Sequence, residues 1–250
     1  MSIARFRSAW GLLALSLSLK AAPALAGEPT FCGEAPTSDA QSLSVGRSSE
    51  GRLLSAKALQ SGEAVRTLPR RHERRCLNWG TPRLVDALRR AGEVVRQASS
   101  SAPPLGVGDL SKARGGPIRP YSRSHQSGRD ADLAFYQLDE QGQPVPAEDL
   151  LAFDAQGQAG NGKLRFDRRR NWLLVRALLE DKELDVQWMF ISKPLREALL
   201  EEARRLHEPA WLIERAGQVL HQPTDSRPHN DHFHLRIRCT PEERAAGCVG

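Results

Sequence analysis

The chain has 250 residues, with 36 Lys and Arg against 30 Asp and Glu and 40% hydrophobic residues, enough for one large domain with a sizeable core. Its net charge of +6 is scattered among alternating signs rather than gathered in a basic stripe, which argues against nucleic acid as a partner. Beyond the N-terminal segment no stretch is long and apolar enough to span a bilayer, so stable membrane insertion is not expected.

The N-terminus reads as a targeting segment. Arg5 and Arg7 form a basic start, Ala9 to Leu19 an apolar run, and Ala24-Leu25-Ala26 a small-residue cleavage site, the pattern of a secretory signal over residues 1–26. Its removal takes three basic residues (Arg5, Arg7 and Lys20) and no acidic one, leaving +3. An exported chain meets an oxidising compartment, so Cys32, Cys76, Cys239 and Cys248 read as disulfides rather than metal ligands. Four cysteines allow three pairings. Cys239 with Cys248 would close a short loop near the C-terminus and leave Cys32 with Cys76.

Residues 27–250 read as one domain, with 27–75 a weakly periodic segment wrapping a core of 76–250. Short strands are expected near Leu43–Val45 and at Leu53-Leu54. Thr81-Pro82 predicts an N-cap and first helical residue, with Leu84, Val85, Leu88, Val94 and Val95 on the buried side. A strand is expected over Leu105–Leu110, a turn at Gly115-Gly116-Pro117, and a strand over Ala131–Gln137. Glu140 to Gly162 reads as one long loop, either a cleft wall or a tolerated insertion. Asp167 is expected to cap a helix reaching Leu179. A strand over Asp185–Ile191 and a helix over Lys193–Leu206 capped by Ser192 follow. Trp172, Trp188 and Trp211 read most simply as core. Helices and strands mix without βαβ regularity, which predicts an α+β fold around a small antiparallel sheet with flanking helices.

Two stretches carry chemistry. From Asp231 the sequence Asp231-His232-Phe233-His234-Leu235-Arg236-Ile237 alternates like a strand, with His232, His234 and Arg236 on one face. Imidazoles two apart on a strand point the same way and can converge on one ion. Upstream, Ser124-His125-Gln126-Ser127-Gly128-Arg129-Asp130-Ala131-Asp132 places a glycine midway between His125 and Asp132, where a turn would fold the two together. His125, Asp132 and one imidazole of the later pair make a zinc set with an open fourth position. Spacing alone leaves His232 and His234 as alternatives for the third ligand. Other hydrolase signatures, including His-Glu-x-x-His and Gly-x-Ser-x-Gly, are missing from the sequence.

His125-x6-Asp132 with His232-x-His234 resembles the metallopeptidases that include lysostaphin, the D-Ala-D-Ala peptidases and the hedgehog domain. Gly115-Gly116, the Ser124–Asp132 stretch and His229-x2-His232-x-His234 followed by Cys239 resemble the penicillin-insensitive murein endopeptidases in particular, from about Val45 to the C-terminus. The resemblance implies a zinc cleft on a small sheet, with His125, Asp132 and His234 as metal ligands and one Zn2+ per chain. It implies His232 as catalytic base and His229 as a catalytic donor or electrostatic partner. The partner is then peptidoglycan, cut at its D-alanyl–diaminopimelate cross-links in the periplasm without sensitivity to β-lactams.

Two features bear on that pattern. Asp231 stands where the dipeptidase branch carries its catalytic carboxylate, but as a strand neighbour of His232 it is expected to point away from the ion. Ser122 occupies the position where some relatives carry a further histidine and a second metal, so a single zinc is expected. Arg119, Arg123, Arg129 and Arg227 flank the motifs and are candidates for substrate carboxylates. The rival functions are a D,D-carboxypeptidase trimming stem peptides and a non-catalytic zinc domain that binds the cell wall. A groove open at both ends favours the endopeptidase; a closed end favours the carboxypeptidase.

Overall fold

The computed structural model describes residues 41–250, without the side chains of residues 72–74. The signal segment and Cys32 lie outside the described residues. The chain enters through a hairpin of β1 (Leu43–Arg47) and β2 (Glu50–Leu54). Next come β3 (Lys57–Ala58), β4 (Val65–Thr67), α1 (Pro69–Arg75), β5 (Trp79–Gly80) and the long helix α2 (Pro82–Ala98). The Thr81 side chain accepts the Leu84 N–H, satisfying one of the donors a helix start leaves open. Leu84, Leu88, Ala91 and Val95 form the buried stripe of α2. Val94, expected on it, is exposed because about 100° per residue carries it off that stripe.

After β6 (Leu105–Val107) and β7 (Asp130–Ala134) the chain makes four short strands, β8 (Gln137–Leu138), β9 (Pro144–Val145), β10 (Gln158–Ala159) and β11 (Leu164–Phe166). They pair antiparallel in the order β10-β11-β8-β9. The stretch expected as one loop is thus a small sheet, and two aspartates explain it. Asp139 Oδ1 accepts from the backbone of Gln141 and Gln143, and Asp154 Oδ1 from that of Gln156 and Gln158. Each carboxylate builds an Asx turn that folds the chain back on itself.

The remaining elements are α3 (Arg168–Glu180), β12 (Val186–Phe190), α4 (Lys193–Arg205), α5 (Ala210–Val219), β13 (Leu220–His221), β14 (His232–Ile237) and α6 (Pro241–Ala245). Asp167 caps α3 by accepting from Arg170 N. Ser192 stands at the cap of α4 but makes no side-chain cap bond; Gln222 Oε1 takes the Lys193 N–H in its place. Trp172 is fully buried, whereas Trp211 is 55% exposed on α5 rather than in the core.

The main sheet has six strands in the order β13-β12-β14-β7-β6-β4. Its centre is antiparallel as expected, but both edge strands join parallel, β13 to β12 and β4 to β6. Helices lie between the members of each edge pair, and such crossovers are what parallel neighbours require. Helices α2 to α5 pack against one another. Phe233, Leu235 and Ile237 from β14, with Ala131 and Leu133 from β7, belong to the same core and are fully buried. Alternation then leaves His232, His234 and Arg236 on the opposite face of the sheet.

Candidate metal centre

Strand pairing decides where the two motifs meet. In the β14–β7 ladder His234 lies opposite Asp132 and Arg236 opposite Asp130, and opposed side chains on antiparallel strands stand about 4.5–5.5 Å apart at Cβ. His234 Nδ1 is accordingly 3.0 Å from Asp132 Oδ1 across 102 residues of sequence. His125 Nε2 is 3.2 Å from the same oxygen, and the rings of His125 and His234 meet edge to face at 4.8 Å. All three side chains are buried.

His125 reaches this point from a loop, with φ at +64°, a conformation that costs a non-glycine residue on the order of 1–3 kcal/mol. The loop is held on several sides. The His125 N–H donates to Asp130 Oδ2 at 3.1 Å, and the Thr81 N–H to the Gly128 carbonyl at 3.0 Å. Gly128 has φ at +73°, and a Cβ there would fall 2.5 Å from Leu53, so only glycine fits the turn.

Asp130, the first residue of β7, supports the backbone of His125 and the ring of His234. Its Oδ1 accepts from Arg236 Nε at 2.5 Å and lies 3.3 Å from His234 Nε2. Burial opposes its ionisation, yet Arg236 and His234 overcome this and hold the carboxyl far below the usual carboxylate range. With Nε2 turned to a carboxylate, His234 is left with Nδ1 facing Asp132, the arrangement in which a second carboxylate orients a metal-binding histidine.

The donor set fits zinc. A tetrahedral ion with bonds of about 2.0–2.1 Å has ligand atoms about 3.3 Å apart, close to the separations from Asp132 Oδ1 to its two imidazole neighbours. Proton and metal compete for the same imidazole lone pairs. In the absence of an ion, burial opposes protonation of His125, but Asp132 outweighs it and raises the imidazole pKa. The same neighbours, His125 first and His232 next, hold Asp132 well below the usual range against its burial.

Three further residues form the lip of the site. His232 Nε2 is 3.3 Å from Asp132 Oδ1, and its Nδ1 is 2.7 Å from Asp231 Oδ1. Asp231 therefore turns towards the site and lines its cavity, contrary to the alternation argument. It precedes β14, where strand geometry does not govern its side chain. Burial opposes protonation of His232, but Asp132 and then Asp231 push its pKa up to about 10. His229 has φ at +50°, and its ring lies 5.0 Å from that of His232 and 5.6 Å from that of His234. Burial and then His232 lower its pKa to about 4. Its Nδ1 is 2.8 Å from the Arg227 carbonyl, and a carbonyl only accepts. The neutral ring thus carries its proton on Nδ1 and offers Nε2 as an acceptor, not as a donor.

Two cavities open from this centre. One, of about 390 Å³, is lined by His125, Asp132 and His232 together with Arg71, Tyr121 and Leu150. The other, of about 420 Å³, is bounded by Phe190, Arg123, Ser48 and Ser49. Both are lined by Ser122, Ser226, His229 and His234, so the space around the centre extends in two directions. Part of the small-sheet stretch serves as a wall. Leu150 lines the first cavity, Asp149 Oδ1 accepts from Arg71 Nε at 2.8 Å, and Phe153 and Asn230 exchange hydrogen bonds.

The flanking arginines separate. Arg129 is fully buried and donates to Ser44 Oγ, the Ile237 carbonyl and the Val249 carbonyl, so it holds the fold together and cannot meet a substrate. Arg119 lines neither cavity, Arg123 lines the second and Arg227 the first. Arg71 and Arg75 of α1 also line the first cavity and were missed from sequence. Their Arg-rich surroundings carry no signal that separates them from a solvated surface. Cys239 and Cys248 form the expected disulfide. Cys76 is disulfide-bonded as well, and its expected partner Cys32 lies outside the described residues.

The sequence matches the protein family described as penicillin-insensitive murein endopeptidase over residues 44–249. It is similar to the Haemophilus influenzae protein named penicillin-insensitive murein endopeptidase, with 26% identity over 216 residues. That alignment covers 82% of this chain and 66% of the relative, a little under two thirds of its length.

Proposed function

The chain belongs to the penicillin-insensitive murein endopeptidase family, and from that premise we propose that it is a zinc-dependent endopeptidase hydrolysing the D-alanyl–diaminopimelate cross-links of peptidoglycan. The observation that carries this reading is the cluster His125, Asp132 and His234 set where space opens on two sides. A cross-link joins two stem peptides, so its cleavage site must admit chain on both sides of the scissile bond. A carboxypeptidase needs the opposite, one blocked end. The zinc cleft is in our reading of the kind found in the D-Ala-D-Ala peptidase and hedgehog group, and the protein acts in the periplasm after loss of residues 1–26.

His125, Asp132 and His234 would hold the zinc, which supplies a Lewis acid that acidifies water and polarises the scissile carbonyl. His232 is the base. Asp231 accepts the Nδ1 proton at 2.7 Å and so leaves the Nε2 lone pair of the neutral ring facing the ligands, the logic by which a third group orients a catalytic histidine. His232 takes a proton from the attacking water at Nε2 and returns it to the departing amine as the carbon–nitrogen bond breaks. His229, neutral and accepting at Nε2, orients donors beside His232. No serine acyl-enzyme is formed, which accounts for insensitivity to β-lactams.

The test is digestion of purified cross-linked sacculi, with released muropeptides identified by mass. The expected result is monomeric muropeptides, stopped by a chelator and unaffected by a β-lactam. Binding of sacculi without release would replace this reading by a wall-binding domain, and release of free D-alanine alone by a carboxypeptidase.

A further inference from the structure

The two cavities flanking the centre differ in charge. In the first, two of the three arginines are engaged within the protein. Arg71 meets Asp149 and Asp109, and Arg75 Nη1 is 2.5 Å from Asp109 Oδ2 while its guanidinium stacks 4.0 Å above the Tyr121 ring. The third arginine there, Arg227, is exposed and enters no ion pair among the described residues, but three carboxylates, Asp109, Asp132 and Asp231, line the same cavity. In the second, Arg236 is held by Asp130, but Arg123 is exposed and enters no ion pair among the described residues. Asp225 is the one carboxylate among the lining residues of that cavity. A further space continues from it past Ser48, Ser49 and Arg236 to Arg47, a second exposed arginine without an ion-pair partner among the described residues.

We propose that the cavity between Phe190 and Arg123 is the anion-recognising arm of the groove, and that Arg123 binds a free carboxylate of the stem peptide lying along it. The inference rests on the endopeptidase reading. A cavity of about 420 Å³ holds a few residues, and its serine hydroxyls suit a peptide backbone. An unpaired guanidinium at its edge offers two parallel N–H donors to a carboxylate. The substrate supplies such groups. The diaminopimelate that donates the scissile amide nitrogen keeps a carboxylate on the same carbon, and further along each stem other carboxylates are free. The first arm, where three carboxylates balance three arginines, has less preference for an anion and takes the less charged strand.

The experiment uses the zinc-loaded protein and synthetic cross-linked stem-peptide dimers in which each carboxylate in turn is masked as the carboxamide. Arg123→Ala touches no ion pair, so the fold is retained. It should raise KM for the free acid about tenfold with kcat within about twofold, as expected for loss of one exposed charge-assisted contact. Masking one particular carboxylate should cost the wild type the same factor and the variant nothing more, which identifies the group bound. Arg123→Lys should fall between. Dissociation constants of a non-hydrolysable dimer, measured calorimetrically on the same proteins, should move in parallel. Wild type that treats every masked dimer like the free acid, or Arg123→Ala that weakens acid and amide alike, would overturn the proposal. A wild type that binds the acid over one amide yet cleaves neither would leave this arm standing and remove the endopeptidase reading.

Discussion

His234 and His232 stand two residues apart on the same face of one strand, yet they are held in different ways. His234 is pinned from three sides, by Asp132 across the ladder, by Asp130 at its other nitrogen and by the Phe190 ring stacked at 5.4 Å. His232, half-buried at the lip, answers to Asp132 and to the preceding residue, Asp231. Ring orientation at His234 is thus fixed by long-range pairing of strands, and at the lip by a bond between neighbours in sequence. A metal centre needs the first kind of constraint. A proton carrier, which must change its bonding during turnover, is served by the second.

Removing a buried ligand should have the largest effect. His234→Ala is expected to lose its zinc, from about one per chain to near none, and all measurable cleavage; full zinc occupancy in that variant would remove His234 from the ligand set. His232→Ala should keep its zinc and its fold while cleavage of sacculi falls by about two to four orders of magnitude, the scale of general acid–base catalysis. If both variants lose metal equally, the division between pinned ligands and mobile lip is wrong.

A pH profile sharpens the same contrast. Asp132 and then Asp231 raise the pKa of His232; with Asp132 engaged by zinc the contribution of Asp231 remains. A base works only when deprotonated, so activity appears as pH rises through the His232 pKa of the zinc-loaded protein. Asp231→Asn lowers the pKa and should move the acidic limb of kcat/KM to lower pH, together with a loss of rate on the order of tenfold from poorer orientation of the ring. An unmoved limb would show that the titrating group is not His232. His229→Ala should have a smaller effect on rate and leave the limb in place, because a group with its pKa lowered to about 4 stays neutral through the working range.

The smallest effect on turnover is expected from the tail. Replacing Cys239 and Cys248 by serine opens a loop of sequence separation 9 and should lower stability by about 2–3 kcal/mol in the chain-entropy model, read as a lower denaturation midpoint with kcat nearly unchanged. A large loss of kcat at full folding would mean that the tail acts on the centre itself.

What the sequence disclosed followed the range of the forces involved. The alternation from Asp231 to Ile237 and the caps at Thr81 and Asp167 are local patterns, and they reappear as β14, α2 and α3. The meeting of His125 and Asp132 with the imidazoles of β14 was legible because a strand spacing and a glycine turn announce it, although spacing did not choose between His232 and His234 as the proposed ligand. Asp130 was not, since its importance comes from Arg236 standing opposite it on another strand. Arg129 read as a substrate contact and proved buried, because its three acceptors come from residues 44, 237 and 249. Arg71 and Arg75 face the centre only because α1 is laid beside it. The small sheet was masked by residues typical of loops, with Asp139 and Asp154 turning what composition alone presents as irregular chain.

The three acceptors of Arg129 also set an order of events in time. This side chain precedes Asp130 in the loop that presents His125, and two of its partners are carbonyls from the last stretch of the chain, Ile237 and Val249. A growing polypeptide carries His125 and Asp132 long before it carries His234 or the carbonyls that lock the loop. The candidate centre therefore cannot be assembled vectorially with its own sequence. It must wait for the far end, and a nascent chain lacks its full set of candidate ligands until that end has been made.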